Sequence, residues 1–367
     1  MRAGNSLIAE GMRIARPLSR GCLVARCVAA LALASSACTP SASDELDGPM
    51  TWSADTLVMR PALLRAPADS VDRGELIGQP IAVRVAGGHT FIADRTVDRI
   101  AVVDSFARVQ HWIGTRGRGP GELFGVSHLE VRDDRLLVAE ALNGRVSAFS
   151  FDGRFVRAFA SPFAAGALGA STHAMVAIAR SSTHYAAQLD SVGEPIAALP
   201  RPRLSRHDAS DRWRLLLGHD LVAADSSRLW VLDQMDGRIC SYARPDAPPH
   251  CRALPASLRR RLREYRDQRV ARLEEAIHQH VRAAPLVKDM VRFGCWLALL
   301  LPLPDLPVVL VDVTDGTVTP VLPRSAEAPG WTRTATAFAW DGQGFLLVGD
   351  EGIGRLYLER SHSNAGE

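Results

Sequence analysis

Four times along this 367-residue chain a short apolar run ends in an acid, and an arginine follows five residues later. The copies are FIADRTVDRI (Asp94, Arg99), LLVAEALNGRV (Glu140, Arg145), LWVLDQMDGRI (Asp233, Arg238) and LLVGDEGIGRL (Asp350, Arg355). An aliphatic residue stands directly after each arginine: Ile100, Val146, Ile239 and Leu356. An apolar run, a polar turn often holding glycine, and a second run starting at the arginine predict a β-hairpin. In the second copy Asp152-Gly153 makes a further turn before a third strand, RFVRAF. Three or four short strands per repeat restrict the chain to closed or stacked all-β folds.

The distances between copies count the repeats. Asp94 to Glu140 spans 46 positions, and Glu140 to Asp233 spans 93, close to twice as many. A degenerate unit is therefore expected between them, and HAMVAIARSSTHYAAQLD from His173 fits it. Asp233 to Asp350 spans 117, two units with about 24 residues over. The segment Trp296–Asp315 supplies the second degenerate unit. These spacings predict an all-β, six-bladed β-propeller of roughly four-stranded blades over residues 53–360. Residues Asp55–Leu64 are placed to lend the last blade a closing strand, which removes the sheet edges that invite aggregation.

The surplus residues are explained by a helical insertion at about 255–284. Leu258, Leu262, Tyr265, Val270, Leu273, Ile277 and Val281 recur near helical spacing, and Pro285 ends the pattern. Eight arginines and four acids share the rest of this stretch. An apolar stripe of this kind is expected to pack across one face of the propeller. A lid over the channel, a docking helix or a surface resting on anionic lipid are the functional readings.

Residues 1–37 have the features of an export signal: five arginines, the apolar run Cys27–Ala34, then Ser35, Ser36 and Ala37 before Cys38. A cysteine after small residues resembles a bacterial lipobox, which would make Cys38 the lipid attachment site. Ser35 stands where that pattern usually has leucine, and ordinary cleavage near Ala34 or Ala37 is the alternative. Residues 38–52 are expected to be a polar tether and 361–367 a disordered tail. The signal holds five Arg and one Glu, so a whole-chain charge of +3 leaves −1 for the rest. The body therefore offers no general electrostatic attraction to nucleic acid. A membrane is expected to be met only through the lipid anchor.

Cys240 and Cys251 flank a polar, proline-containing turn and can form a cross-strand disulfide in an oxidising compartment. Cys295 lies in the apolar run FGCWLALLL and is expected in the core. The acid–arginine pairs Asp94–Arg99, Glu140–Arg145, Asp233–Arg238 and Asp350–Arg355 are expected to be salt bridges bracing each hairpin turn. A brace is needed in every unit, whereas a catalytic group is needed once.

The run Gly114-Thr115-Arg116-Gly117-Arg118-Gly119-Pro120-Gly121-Glu122-Leu123, followed by a strand, LLVAEALNGRV and FDGRF, resembles the NHL-type repeat and the wider group of bacterial six-bladed β-propeller proteins. The likeness is best from Gly74 to Phe159 and weaker to Glu359. It implies the fold, an exported or lipid-anchored protein, and a binding platform for a protein, peptide or glycan. Fold transfers through such a likeness and function does not. A strand rather than a helix is expected after the glycines, which argues against a phosphate cradle. His278 and His280 would face different sides of a helix, and no HExxH, GxSxG or CxxC is present. No catalytic, cofactor-binding or metal-ligating set is read from the sequence. The alternative is a propeller hydrolase or lyase, lactonase-like or amidating-lyase-like, with Ca or Zn held at the channel.

Overall fold

The computed structural model describes residues 49–65, 77–161, 165–170, 175–179, 186–189, 195–199, 220–225, 228–243, 248–275, 285–324 and 330–360. The proposed signal, Cys38, the tail and both histidines His278 and His280 lie outside them.

The chain enters through two strands, β1 (Thr51–Trp52) and β2 (Leu57–Arg65). The first antiparallel unit is β3 (Pro80–Ala86), β4 (His89–Asp94), β5 (Arg99–Val103) and β6 (Val109–Ile113). A two-stranded link, β7 (Thr115–Arg116) with β8 (Glu122–Leu123), follows. The second unit is β9 (Val126–Arg132), β10 (Arg135–Glu140), β11 (Arg145–Ser150) and β12 (Phe155–Ala160). The third is β13 (Ala165–Ala170), β14 (Met175–Ala179), β15 (Ala186–Leu189) and β16 (Pro195–Leu199). The fourth is β17 (Leu221–Ala224), β18 (Leu229–Asp233), β19 (Arg238–Tyr242) and β20 (His250–Ala253), and α1 (Ala256–Glu275) comes after it. The fifth is β21 (Asp289–Phe293), β22 (Trp296–Leu303), β23 (Leu306–Asp312) and β24 (Thr317–Pro323). Last come the short helix α2 (Gly330–Thr334) and β25 (Ala335–Trp340), β26 (Phe345–Gly349) and β27 (Gly352–Arg360). Strand β2 pairs antiparallel with β27 and completes that unit.

The first strands of successive units touch in a closed cycle: β3 with β9, then β13, β17, β21, β25 and back to β3. That arrangement is a β-propeller. The segments at 173–190 and 296–315, which lack the acid–arginine pattern, supply the middle strands of the third and fifth units. The four strands of those units follow the same meander as the rest.

Several of the described middle strands are buried on both faces, which is why they are continuous apolar runs rather than alternating ones. Strands β18 and β26 are buried at every position, and so is β22 after its first residue. The core runs between neighbouring sheets. Phe91 and Ile100 of the first unit pack with Leu129, Leu136 and Phe149 of the second, and Trp230 and Leu232 of the fourth with Leu299 and Val309 of the fifth.

Two boundaries differ from expectation. The folded body begins before residue 53. Met50 is 6% exposed in the core beside Leu254 and Leu258, its N–H donates to Ala253 O, and β1 pairs in parallel with β24. An apolar side chain and two strand residues are enough to dock the end of the supposed tether. Strand β2 also starts parallel to β24, with Leu57 opposite Val321, and so joins the fifth and sixth units into one nine-stranded sheet.

Helix α1 occupies Ala256–Glu275, and residues 276–284 lie outside the described part. Leu258 and Leu262, one turn apart, are fully buried with Trp230, Leu254 and Leu286. Arg261 pairs with Asp305 in the β22–β23 turn at 2.6 Å, and Trp52 Nε1 donates to Ser257 Oγ. The helix is thereby laid over the junction of the fourth and fifth units.

Candidate functional site

Five-residue spacing makes acid and arginine the closing cross-strand pair of the hairpin at Asp94–Arg99, Glu140–Arg145 and Asp233–Arg238. Their bonds differ from a brace across the turn. Asp94 is fully buried and accepts the N–H groups of Gly78, Gln79 and Thr96, while Arg99 Nε donates to Gly114 O and the guanidinium lies over Trp112. Glu140 does bond Arg145, at 2.8 Å, and it also accepts from Phe124 N, Asn143 Nδ2 and Ser147 Oγ. Arg145 in turn donates to the carbonyls of Arg118, Gly119 and Glu122. Asp233 is buried and takes the N–H of Met235.

The last pair departs from the pattern. Gly349 and Gly352 face each other across a two-residue turn, so exposed Asp350 sits in the turn itself, and Arg355 is opposite Leu346. Arg355 pairs with Asp341 instead, at 2.6 Å. In the first two units the repeated charges tie the segment linking one unit to the next onto the hairpin. The glycine-rich run is that link. Gly114 and Gly121 have φ of +77° and +78°, which a side chain would strain. Strand β9 follows the run, with no helix N-terminus to receive a phosphate.

Cys240 and Cys251 are direct partners in the β19–β20 register, and their sulfurs are bonded. Cys295 differs from the expectation of a core residue. It occupies the tight turn between β21 and β22, partly exposed. A two-residue turn inside an apolar run leaves no polar signal to mark it.

Sequence reasoning missed the polar residues inside the ring. Arg84 on β3 donates through Nε and Nη2 to Glu130 Oε2 on β9, at 3.2 and 3.1 Å. Its Nη1 donates to Val83 O, and its Nη2 lies 3.0 Å from His128 Nε2. Asp289, at the start of β21, accepts from Met290 N at 2.8 Å and from Phe338 N on β25 at 3.0 Å. Burial pushes the Asp289 carboxyl up to about 6, against the pull of Arg84 and of those N–H groups. Burial also opposes the Arg84 cation, but Glu130 and Asp289 outweigh it and hold its pKa above the ordinary arginine value. Lys288 beside them donates to the carbonyls of Arg333 and Ala335, and burial, aided by Arg269, lowers its pKa to about 8.

These strands surround a cavity of about 370 Å³. Arg84 and Glu130 form part of its wall, with Val222–Ala224 of β17, Arg292 and Phe293 of β21, and Ala339 and Trp340 of β25. The rings of Phe293 and Trp340 stack at 4.8 Å, with 22° between their planes. Five units thus contribute to one concave surface that joins aromatic faces to fixed charges, the usual make-up of a ligand pocket. The cavity lies toward the ends of the first strands, whereas α1 covers the turns at the other end of the sheets. Among the described residues no cluster of three or more His, Cys, Asp or Glu is arranged to hold a metal ion. Among the same residues no helix is long and apolar enough to cross a membrane.

The sequence matches no protein-family profile and no curated protein. Solved structures do match. A candidate exported protein of Bacteroides fragilis superposes with a TM-score of 0.53 at 10% identity, over 86% of this chain and 99% of that one. Virginiamycin B lyase from Staphylococcus aureus does so with 0.51 at 7% identity, over 83% and 100%. A protein of unknown function from Bacteroides thetaiotaomicron gives 0.55 at 12% identity, over 83% and 76%. What they share with this chain is the propeller fold. At such identity the likeness carries no activity across.

Proposed function

We propose that the chain is an exported, six-bladed propeller with NHL-like repeats, tethered through lipid on Cys38, that acts as a binding module. Its ligand site is the cavity at the ends of the first strands. The observation that carries this reading is the convergence of Arg84, Glu130, Arg292, Phe293 and Trp340 on one 370 Å³ space. They come from positions as far apart in sequence as 84 and 340. The repeated charges, by contrast, are occupied in holding links and hairpins together. A peptide end or a sugar is the size of ligand such a space accepts.

Calorimetric titration of the purified protein with a panel of short peptides, sugars and small acids tests the reading. Ala224→Trp fills the cavity from its wall. Binding in the parent chain and loss in the variant, with melting temperature unchanged, supports the site, and binding indifferent to the variant refutes it. Anchoring is tested separately: Cys38→Ala should release the protein from membranes and abolish acyl labelling. The competing reading is a propeller hydrolase or lyase with a channel metal. Metal analysis of the purified protein separates the two, since stoichiometric Ca or Zn would favour the enzyme.

A further inference from the structure

Arg292 is the least satisfied charge around the cavity. Its Nη2 donates to Asp225 Oδ2 and its Nη1 to Trp296 O, both at 3.4 Å, beyond the usual 2.7–3.2 Å for N–H···O. Its Nε is buried and has no partner. The side chain is only 11% exposed, and Trp230 covers the guanidinium at 5.0 Å. Arg84, the other cation of the wall, is in contrast engaged by Glu130, Val83 O and His128. The charged side chains lining the cavity are Arg84, Arg292 and Glu130, a balance of one positive charge. A buried guanidinium with open donor positions is a site for a planar, two-oxygen acceptor. The next residue, Phe293, stacks on Trp340, and both line the same space.

We infer that the cavity takes a carboxylate carried close to a ring with an apolar face, with Arg292 receiving the carboxylate and the Phe293–Trp340 pair lying against that face of the ring. The inference rests on the cavity being the binding site proposed above. Two sources share this chemistry: a peptide ending in an aromatic residue, and a uronic acid sugar. The probes are Gly-Gly-Phe against its C-terminal amide, and glucuronate against glucose.

One of the two acids is expected to bind at least about tenfold more tightly than its neutral partner, as befits a charged hydrogen bond in a buried site. Which acid does so identifies the source. Arg292→Gln should abolish that preference. Because this variant also removes contacts to Asp225 and Trp296, Asp225→Asn provides the second reading: it weakens the carboxylate that competes for Arg292 and should tighten acid binding several-fold. A merely structural Arg292–Asp225 pair would give no gain. Equal binding of acid and neutral partner, or an Asp225→Asn variant no tighter than the parent, overturns the inference. So does binding of other panel members, but neither acid, at the site blocked by Ala224→Trp; the binding-module reading then stands. If no panel member binds in a way that Ala224→Trp blocks, both readings fall.

Discussion

Asp94 and Arg99 stand opposite each other in the register of their hairpin, yet each is bonded elsewhere. The carboxylate holds Gly78 N, Gln79 N and Thr96 N, and the guanidinium holds Gly114 O. An acid and a base five residues apart thus act on the segments entering and leaving their unit. That makes the buried acids structural keystones and predicts unequal losses among residues that look equivalent in sequence.

Glu140→Ala should be severely destabilising, by about 3–5 kcal/mol, since it takes the carboxylate from the Arg145 charge and orphans the N–H of Phe124. Asp350→Ala removes an exposed turn residue and should cost under about 1 kcal/mol. Urea unfolding of the two variants checks the contrast. Equal losses would mean that the repeated pairs play one role.

Asp289 gives stability a pH dependence of unusual sign. Its folded pKa of about 6 lies above the ordinary value of 3.8, so the folded state binds the extra proton. Its contribution is therefore fully present below about pH 4 and is lost as pH rises through 6. Relative to Asp289→Asn, the parent chain should gain roughly 2 kcal/mol on going from pH 7 to pH 4. Unfolding free energies of both proteins across that range test it. A difference that stays flat with pH would show an unperturbed carboxyl.

The Cys240–Cys251 bond closes a short loop within one hairpin, at a sequence separation of 11. Replacing both residues by alanine should cost roughly 2–3 kcal/mol. Melting of the double variant measures the loss. Alkylation of the unreduced parent chain should leave both thiols unlabelled.

Helix α1 is held by its apolar stripe more than by its charges. Leu262→Ala opens a cavity among Trp230, Leu254 and Leu286 and should cost about 2–5 kcal/mol. Arg261→Ala breaks a half-exposed pair with Asp305 and should cost at most about 1 kcal/mol. Thermal unfolding orders the two, and the reverse order would make α1 an electrostatic attachment.

The sequence by itself determined the strands, their four-per-unit grouping and the place of the helix. Each of these is written in local patterns: apolar runs of strand length, a five-residue spacing that spans one turn, and a helical stripe at Leu258 and Leu262. Only the tertiary structure decided which partner each charge takes. Arg355 turns to Asp341 because the last hairpin has a two-residue turn where the other three acid–arginine hairpins have four, which sets Arg355 opposite Leu346 rather than opposite Asp350. The docking of Met50 and the β2–β24 pairing likewise depend on contacts between segments far apart in sequence. The cavity is the extreme case. Arg84, Glu130, Arg292 and Trp340 carry no common motif, since their meeting is set by six inner strands converging on one axis and not by any spacing along the chain.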